Sequence, residues 1–276
     1  MEEFFFAAVG DVHGHIKTMI KLLSKWESLL GKKLAFILQV GDFEPHRHEA
    51  DLSTMSAPTK YKKLGDFSDY YLGKTFFPWP VFFIGGNHEP YGFLEQFPNG
   101  AEVVKNCYYL GRVSSNIIEG LNVVGVSGIY RKDKFYSPRP HFLEISTKSN
   151  KEYIYFIEDD IIQALNYKNV DILLLHDWPS ELINSSSIAE FTGFSNSIGY
   201  GELGNEFARM LVDLLLPKLV LCGHMHCKYR TKIITSDNKR IDICCLANIN
   251  QGDAAIALFR VTPHGELQEV ILESQQ

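Results

Sequence analysis

The chain has 276 residues, 45% apolar and 22% charged, an ordinary globular composition that is long enough to bury a sizeable core. Its net charge of −6 excludes a whole-surface attraction to nucleic acid or anionic membrane, but not a site that handles phosphate through metal ions. Met1-Glu2-Glu3 lacks the basic start of a signal peptide, and the apolar run after it is far too short to span a bilayer. The five cysteines (Cys107, Cys222, Cys227, Cys244 and Cys245) are odd in number, include an adjacent pair and show no C-x-x-C spacing, which reads as buried thiols in a reducing compartment. A cytoplasmic protein without membrane contact is expected; oligomeric state is not legible.

In chain order, Phe4 to Val9 reads as a buried strand running into Gly10-Asp11-Val12-His13-Gly14. An amphipathic helix follows, with Ile16, Met19, Ile20, Leu23, Trp26 and Leu30 on one stripe and Gly31 just past its end. Leu34 to Val40 is a second buried strand, closing on Gly41-Asp42-Phe43-Glu44. Residues 44–80 are polar and then aromatic, and short helices within a long connection are expected there. Val81 to Ile84 is a third buried strand, and after it two glycines permit a sharp turn in Gly85-Gly86-Asn87-His88-Glu89.

Asn106 to Leu110, Ser114 to Glu119 and Leu121 to Ser127 read as short strands. From Arg131 to Lys151 the pattern dissolves, with six Lys or Arg against two acids, as in a surface insertion or a substrate-facing loop. A helix around Asp159 to Leu165 and a strand from Val170 to Leu175 lead to His176-Asp177-Trp178-Pro179. Residues 184–205, rich in Ser, Gly and Asn, read as a flexible segment or lid, followed by a helix with Leu203, Phe207, Met210, Leu211 and Leu214. The strand Leu219 to Cys222 ends on Gly223-His224-Met225-His226, and only strands are expected after it: Lys228 to Thr235, Arg240 to Leu246, Ala254 to Val261 and Leu267 to Leu272. No linker or repeat divides the chain, so one domain over 1–276 is expected, with the insertion at about 131–151.

Five buried strands thus end on metal-competent side chains: Asp11 and His13; Asp42; Asn87 and His88; His176; and His224 and His226. Ligands collect outside the carboxyl ends of strands in open α/β sheets. Asp11-x-His13 and His224-x-His226 put alternate residues on one side of an extended chain. The donors are nitrogen and oxygen without thiolate, a set suited to Mn, Fe, Zn or Ni. Seven ligands exceed the needs of one such ion but suit two ions that share a carboxylate.

The series D-x-H, G-D, G-N-H-[DE], H and G-H-x-H, present in full from Val9 to about Cys227, resembles the calcineurin-like metallophosphoesterases. The resemblance implies a four-layer αββα sandwich, an α/β fold of two mixed sheets flanked by helices, with the C-terminal strands in the second sheet. It implies that Asp11, His13, Asp42 and His226 hold one ion, and that Asp42, Asn87, His176 and His224 hold the other, with Asp42 bridging. His88, beside Asn87 but outside the ligand set, is implied as the acid that protonates the leaving oxygen, and Glu89 is expected to brace its loop by hydrogen bonding without binding metal.

A closer likeness is to the RNA lariat debranching enzymes, which cleave a 2′,5′-phosphodiester. It is carried by Gly41 to Glu44, Arg47, Glu49-Ala50-Asp51-Leu52, Gly85 to Glu89, Tyr108-Tyr109-Leu110-Gly111, Ser127-Gly128-Ile129 and His176 to Pro179. By position, residues 131–151 match the part of those enzymes associated with the branched substrate. They carry a cysteine at the position of Asp11, so the first ion site here looks like that of the wider superfamily. They also extend into a C-terminal domain that is not expected among the strands after Cys227.

The implied function is phosphoester hydrolysis through in-line attack by a hydroxide bridging two divalent ions, most directly on a nucleotide or RNA-derived diester. Arg47, Tyr130 and Arg131 are candidate substrate contacts, and Trp178 and Tyr130 belong either against a base or in the core. His15, His46, His48, His141 and His264 read as solvated or locally hydrogen-bonded. A phosphomonoesterase or protein phosphatase is the alternative, although Gly41-Asp42-Phe43-Glu44-Pro45 departs from the phosphatase pattern G-D-x-x-D-R-G. A non-catalytic scaffold would show missing ligands, and all seven are present.

Overall fold

In β1 (Phe4–Val9) the side chains alternate between two apolar clusters: Phe6 and Ala8 join one, Ala7 and Val9 the other. A strand apolar on both faces must lie between two layers. The same alternation recurs in β2 (Leu34–Gln39), β8 (Ile172–Leu175) and β9 (Leu219–Cys222), and it dictates the architecture. The structure, a computed structural model, describes residues 2–145, 148–183 and 203–271.

The remaining strands are β3 (Val81–Phe83), β4 (Ala101–Val104), β5 (Cys107–Tyr109), β6 (Val113–Ile118), β7 (Leu121–Val126), β10 (Tyr229–Ile234), β11 (Arg240–Cys245), β12 (Ile256–Val261) and β13 (Leu267–Val270). They form a seven-stranded sheet, β13-β12-β1-β2-β3-β5-β4, and a six-stranded sheet, β10-β11-β9-β8-β7-β6. Each sheet has a parallel centre, β1-β2-β3-β5 in one and β7-β8-β9-β11 in the other, with antiparallel strands at both edges.

Between the sheets, Phe6, Phe36, Leu38 and Ile84 meet Val123, Leu174, Leu219 and Leu221. Helix α1 (Ile16–Leu30) covers the outer face of the larger sheet with Ile16, Met19 and Leu23. Helices α4 (Glu158–Leu165) and α5 (Glu206–Leu215) cover the smaller sheet with Ile161, Ala164, Ala208, Leu211 and Val212. This is the expected four-layer αββα sandwich, and each fully buried Leu or Phe in it contributes roughly 1.5–3 kcal/mol. Two shorter helices, α2 (Phe67–Tyr71) and α3 (Tyr91–Leu94), lie in connections.

Register sets where the motifs emerge. Val9 pairs with Gln39 and Gln39 with Phe83, so β1, β2 and β3 end level. Leu174 pairs with Leu221, which levels β8 and β9. All five motif-bearing strand ends therefore open at the carboxyl ends of parallel strands.

Several expectations need correction. Strand β4 and helix α3 were not foreseen: four residues are too few to show a period. Leu203 precedes α5, and Leu214 is 61% exposed, because the buried stripe runs through Ala208, Leu211 and Val212. The C-terminal part is not strand alone, since a 3-10 segment, Ile249–Ala255, bends across Gly252 before β12. His46 is wholly buried rather than solvated, and Cys227 is partly exposed. None of the five cysteines is in a disulfide. Of the expected lid, residues 184–202 lie outside the described residues. No helix among the described residues is long and apolar enough to cross a membrane.

Candidate metal centre

The strand-end loops are bound to one another before any ion is considered. Val12 N and His13 N both donate to Asp42 O, at 3.0 and 2.8 Å. Buried Gln39 donates through Nε2 to Gly10 O and Gly41 O and accepts from Gly41 N. Glu89 accepts from Phe43 N, Glu44 N and Gly86 N at 2.9, 2.9 and 3.1 Å, the loop-bracing role expected of it. Burial, and then the Asp42 charge, push the Glu89 carboxyl up to about 8 against those three donors.

Close approach explains two glycines. A Cβ on Gly86 would stand 2.2 Å from Asp42 Oδ1 and 2.7 Å from His176 Nε2. One on Gly223 would stand 2.2 Å from Asp11 Oδ1. The carboxylates occupy the space that a side chain would need.

The structure brings Asp11, His13, Asp42 and His226 together, with one donor atom from each lying within 4.8 Å of the others. His13 Nε2 is 3.0 Å from His226 Nε2, and His226 Nε2 is 3.0 Å from Asp11 Oδ2. Asp11 also accepts from His224 N through both oxygens. Asp42 Oδ2 is 4.0 Å from His13 Nε2 and 3.5 Å from His176 Nε2, so it faces both halves of the expected site. Its other oxygen accepts from His88 N at 2.7 Å.

In the second half, His176 Nδ1 donates to Val40 O at 2.8 Å, so the proton that leaves for an ion to bind is the one on Nε2. Asn87 Oδ1 lies 3.1 Å from that nitrogen, and the His224 ring centroid is 5.1 Å from that of His176. His88 is not among the four clustered residues of the first half, and its ring lies edge-on to His13 at 5.5 Å between centroids.

Charge explains why this arrangement suits a cation. Burial alone would lower the His13 pKa, but the Glu44 hydrogen bond and the Asp42, Glu44 and Asp11 charges raise it to about 9. His176 reaches about 10 by the same contest, chiefly through Asp42. Burial would push the Asp42 carboxyl up, yet His176, then His88 and His13, hold it well below the usual range. His224, by contrast, is held down by burial despite Asp177. Carboxylates that draw protons onto neighbouring imidazoles make a pocket of negative charge, and its nitrogen and oxygen donors are of the kind that can hold a divalent ion. His13, Asp42, Glu44, His224 and His226 all have positive φ, between 46 and 64°, an uncommon conformation for residues with a Cβ.

The candidate substrate contacts have partners of their own. The Arg47 guanidinium makes two bonds to Asp51 and lies over the Phe93 ring at 4.1 Å. The Tyr130 ring packs against Phe135, Phe156 and Phe207, while its N–H donates to Asp177. Arg131 pairs with Asp133. Among the described residues no hydrogen bond or ion pair joins these three to the seven ligand candidates. Trp178 is 1% exposed and donates through Nε1 to Gly223 O at 2.7 Å, so it packs in the core under the second His motif.

Sequence reasoning gave no role to Glu44, Gln39 or Arg112. Glu44 Oε1 accepts from His13 Nδ1 at 2.8 Å. Arg112, buried with Glu95, also bonds Tyr153 O and lies over the Tyr91 ring, tying the turn after Glu89 to the end of the insertion. A polar residue closing an otherwise apolar strand was the available signal for Gln39.

Comparison with known proteins agrees with this geometry. Residues 6–228 match the family model described as calcineurin-like phosphoesterase. The chain is 36% identical over 233 residues to the lariat debranching enzyme of Entamoeba histolytica and 32% identical over 251 residues to that of Saccharomyces cerevisiae. These matches cover 82% and 87% of this chain but 65% and 60% of the relatives, so it spans less than two thirds of their length. A solved crystal structure superposes with a TM-score of 0.50 at 10% identity, covering 98% of this chain and all of that one, a likeness of fold. With the family pattern spanning both sheets and all five motif-bearing loops, the chain belongs to the calcineurin-like phosphoesterase family.

Proposed function

We propose that this protein hydrolyses phosphate esters with two divalent ions, and that its substrate is a nucleotide or RNA-derived phosphodiester, with a 2′,5′ linkage as the first candidate. The observation that carries the reading is the convergence of Asp11, His13, Asp42 and His226, with Asp42 also facing His176. The lariat debranching enzymes among its relatives support the diester and the linkage. We place the first ion on Asp11, His13, Asp42 and His226, and the second on Asp42, Asn87, His176 and His224.

The ions, when bound, would neutralise charge on the phosphate oxygens and supply an activated water at neutral pH. The chain's own residues do the rest. Asp42, fixed by the His88 N–H, holds the two halves in one frame. His88 carries the proton for the leaving oxygen, since its ring flanks the cluster without joining it. We read residues 1–276 as one domain in which the basic stretch 131–151 faces substrate, with Tyr130, Arg131 and Arg47 as the candidate contacts. Support comes from its anchoring: Phe135 stacks on Phe207, and Asn150 donates to Ser53 O. A cytoplasmic location fits the absence of disulfides among the cysteines.

The test compares a bis-aryl with a mono-aryl phosphate in Mn²⁺, alongside 2′,5′- and 3′,5′-linked dinucleotides. Turnover of the diester and preference for the 2′,5′ dinucleotide are expected. Turnover of the monoester alone would replace this reading with a phosphomonoesterase or protein phosphatase.

A further inference from the structure

Glu44 stands directly behind the first ion position. Its Oε1 accepts the Nδ1 proton of His13 at 2.8 Å, which leaves His13 Nε2 turned toward His226 and Asp42. The residue is 4% exposed, lies at φ 59°, and has its own N–H fixed by Glu89. Its other oxygen, Oε2, faces His46 Nε2 at 3.7 Å. His46 is wholly buried, and neither of its ring nitrogens has a hydrogen-bond partner. A buried imidazole with no partner is unfavourable in a core that could accept an apolar ring. Its one charged neighbour among the described contacts is the carboxylate that holds His13.

We propose that Glu44 is the positioning residue of the first ion position, and that His46 backs it, so that the line His46–Glu44–His13 sets the affinity of that position alone. An acceptor on Nδ1 fixes the tautomer and plane of the ring and makes Nε2 a better donor to a metal. A carboxylate held at only one oxygen can swing about its last torsion, and the His46 ring beside Oε2 opposes that swing. The second position has its own arrangement, His176 on Val40 O, which does not pass through Glu44. The inference rests on the metal-dependent reading, because it takes the Asp11–His13–Asp42–His226 cluster to hold an ion.

The experiment titrates Mn²⁺ into metal-free protein and counts bound ions by electron paramagnetic resonance, with circular dichroism as the check on folding. Wild type is expected to bind two ions. Glu44→Ala should weaken one of them about 10–100-fold and leave the other unchanged. Glu44→Gln, whose amide oxygen still accepts from Nδ1, should recover most of that loss. His46→Phe, which keeps the ring volume, should weaken the same position by about threefold or more. Should Glu44→Ala fold poorly, His46→Phe and Glu44→Gln still decide the matter. Two ions at wild-type affinity in Glu44→Ala, or equal weakening of both, would overturn the proposal while the metal-dependent reading stands. Unchanged affinity in His46→Phe would overturn the part assigned to His46. Failure of wild type to bind any ion would overturn both.

Discussion

Replacing Gly86 by alanine tests the claim that the site is a packing arrangement before it is a chemical one. The added carbon would stand 2.2 Å from Asp42 Oδ1, where ordinary contact begins at 3.4 Å, so ~1.2 Å must be absorbed. It would also stand 2.5 Å from Asp42 N and 2.7 Å from His176 Nε2, so the carboxylate cannot simply retreat along its own backbone. Overpacking of this kind costs about 1–3 kcal/mol of stability, which a protein of this size should survive. Displacement of a catalytic group by about 1 Å costs on the order of 100-fold in rate. Gly86→Ala should therefore fold, lose roughly 100-fold in turnover and bind both ions more weakly, as read by Mn²⁺ titration and initial rates on a bis-aryl phosphate. Gly223→Ala presses instead on Asp11, at 2.2 Å, and should weaken the first ion position. Wild-type affinity and turnover in Gly86→Ala would show that Asp42 and His176 need not stand where the structure puts them.

Three further outcomes are expected. His88→Ala should retain both ions yet lose about 10²–10⁴-fold on substrates with poor leaving groups, and full activity on such a substrate would end its assignment as the acid. Arg112→Met strands the buried Glu95 carboxylate and should cost about 3–5 kcal/mol, read as a lowered urea midpoint; a loss of less than about 1 kcal/mol would mean the pair is not structural. Ion affinity should rise with pH, because protons on His13, with a pKa of about 9, and on His176, about 10, must leave for an ion to bind. Each proton displaced should steepen apparent affinity about tenfold per pH unit below those values, and calorimetry in buffers of different ionisation enthalpy would count them. The same shift stabilises the metal-free fold fully below the ordinary imidazole value of 6.5, and that contribution is lost as pH rises through about 9. Ion affinity flat from pH 6 to 9 would contradict the protonation argument.

The strand ends were legible because sequence puts each motif directly after an apolar run, and five such runs need one common edge. Gly85 to Glu89 could be read that way down to Glu89, whose three backbone bonds follow from a carboxylate in a loop of free N–H groups. Contacts across the fold were not legible. His13 and Glu44 are 31 residues apart, and nothing local marks one as the partner of the other. Arg112 and Glu95 each look like surface charges until β5 and α3 fold over them. His46 is hidden for a related reason: the stretch Glu44 to Glu49 is polar in sequence, yet Glu44, Pro45 and His46 all turn inward.

The positive φ angles around the cluster set persistence against use. Each of His13, Asp42, Glu44, His224 and His226 holds a backbone conformation that costs on the order of 1 kcal/mol or more and that glycine or asparagine would adopt more easily. Heat, denaturant or a protease would reward such replacements, which relax the backbone and, at Asp42 and Glu44, also remove a buried carboxylate. A duplicated copy drifting without need of its chemistry would therefore become hardier as it became inert. Anyone breeding this protein for ruggedness by thermal challenge alone should expect the winners to be the ones that have forgotten how to hold an ion.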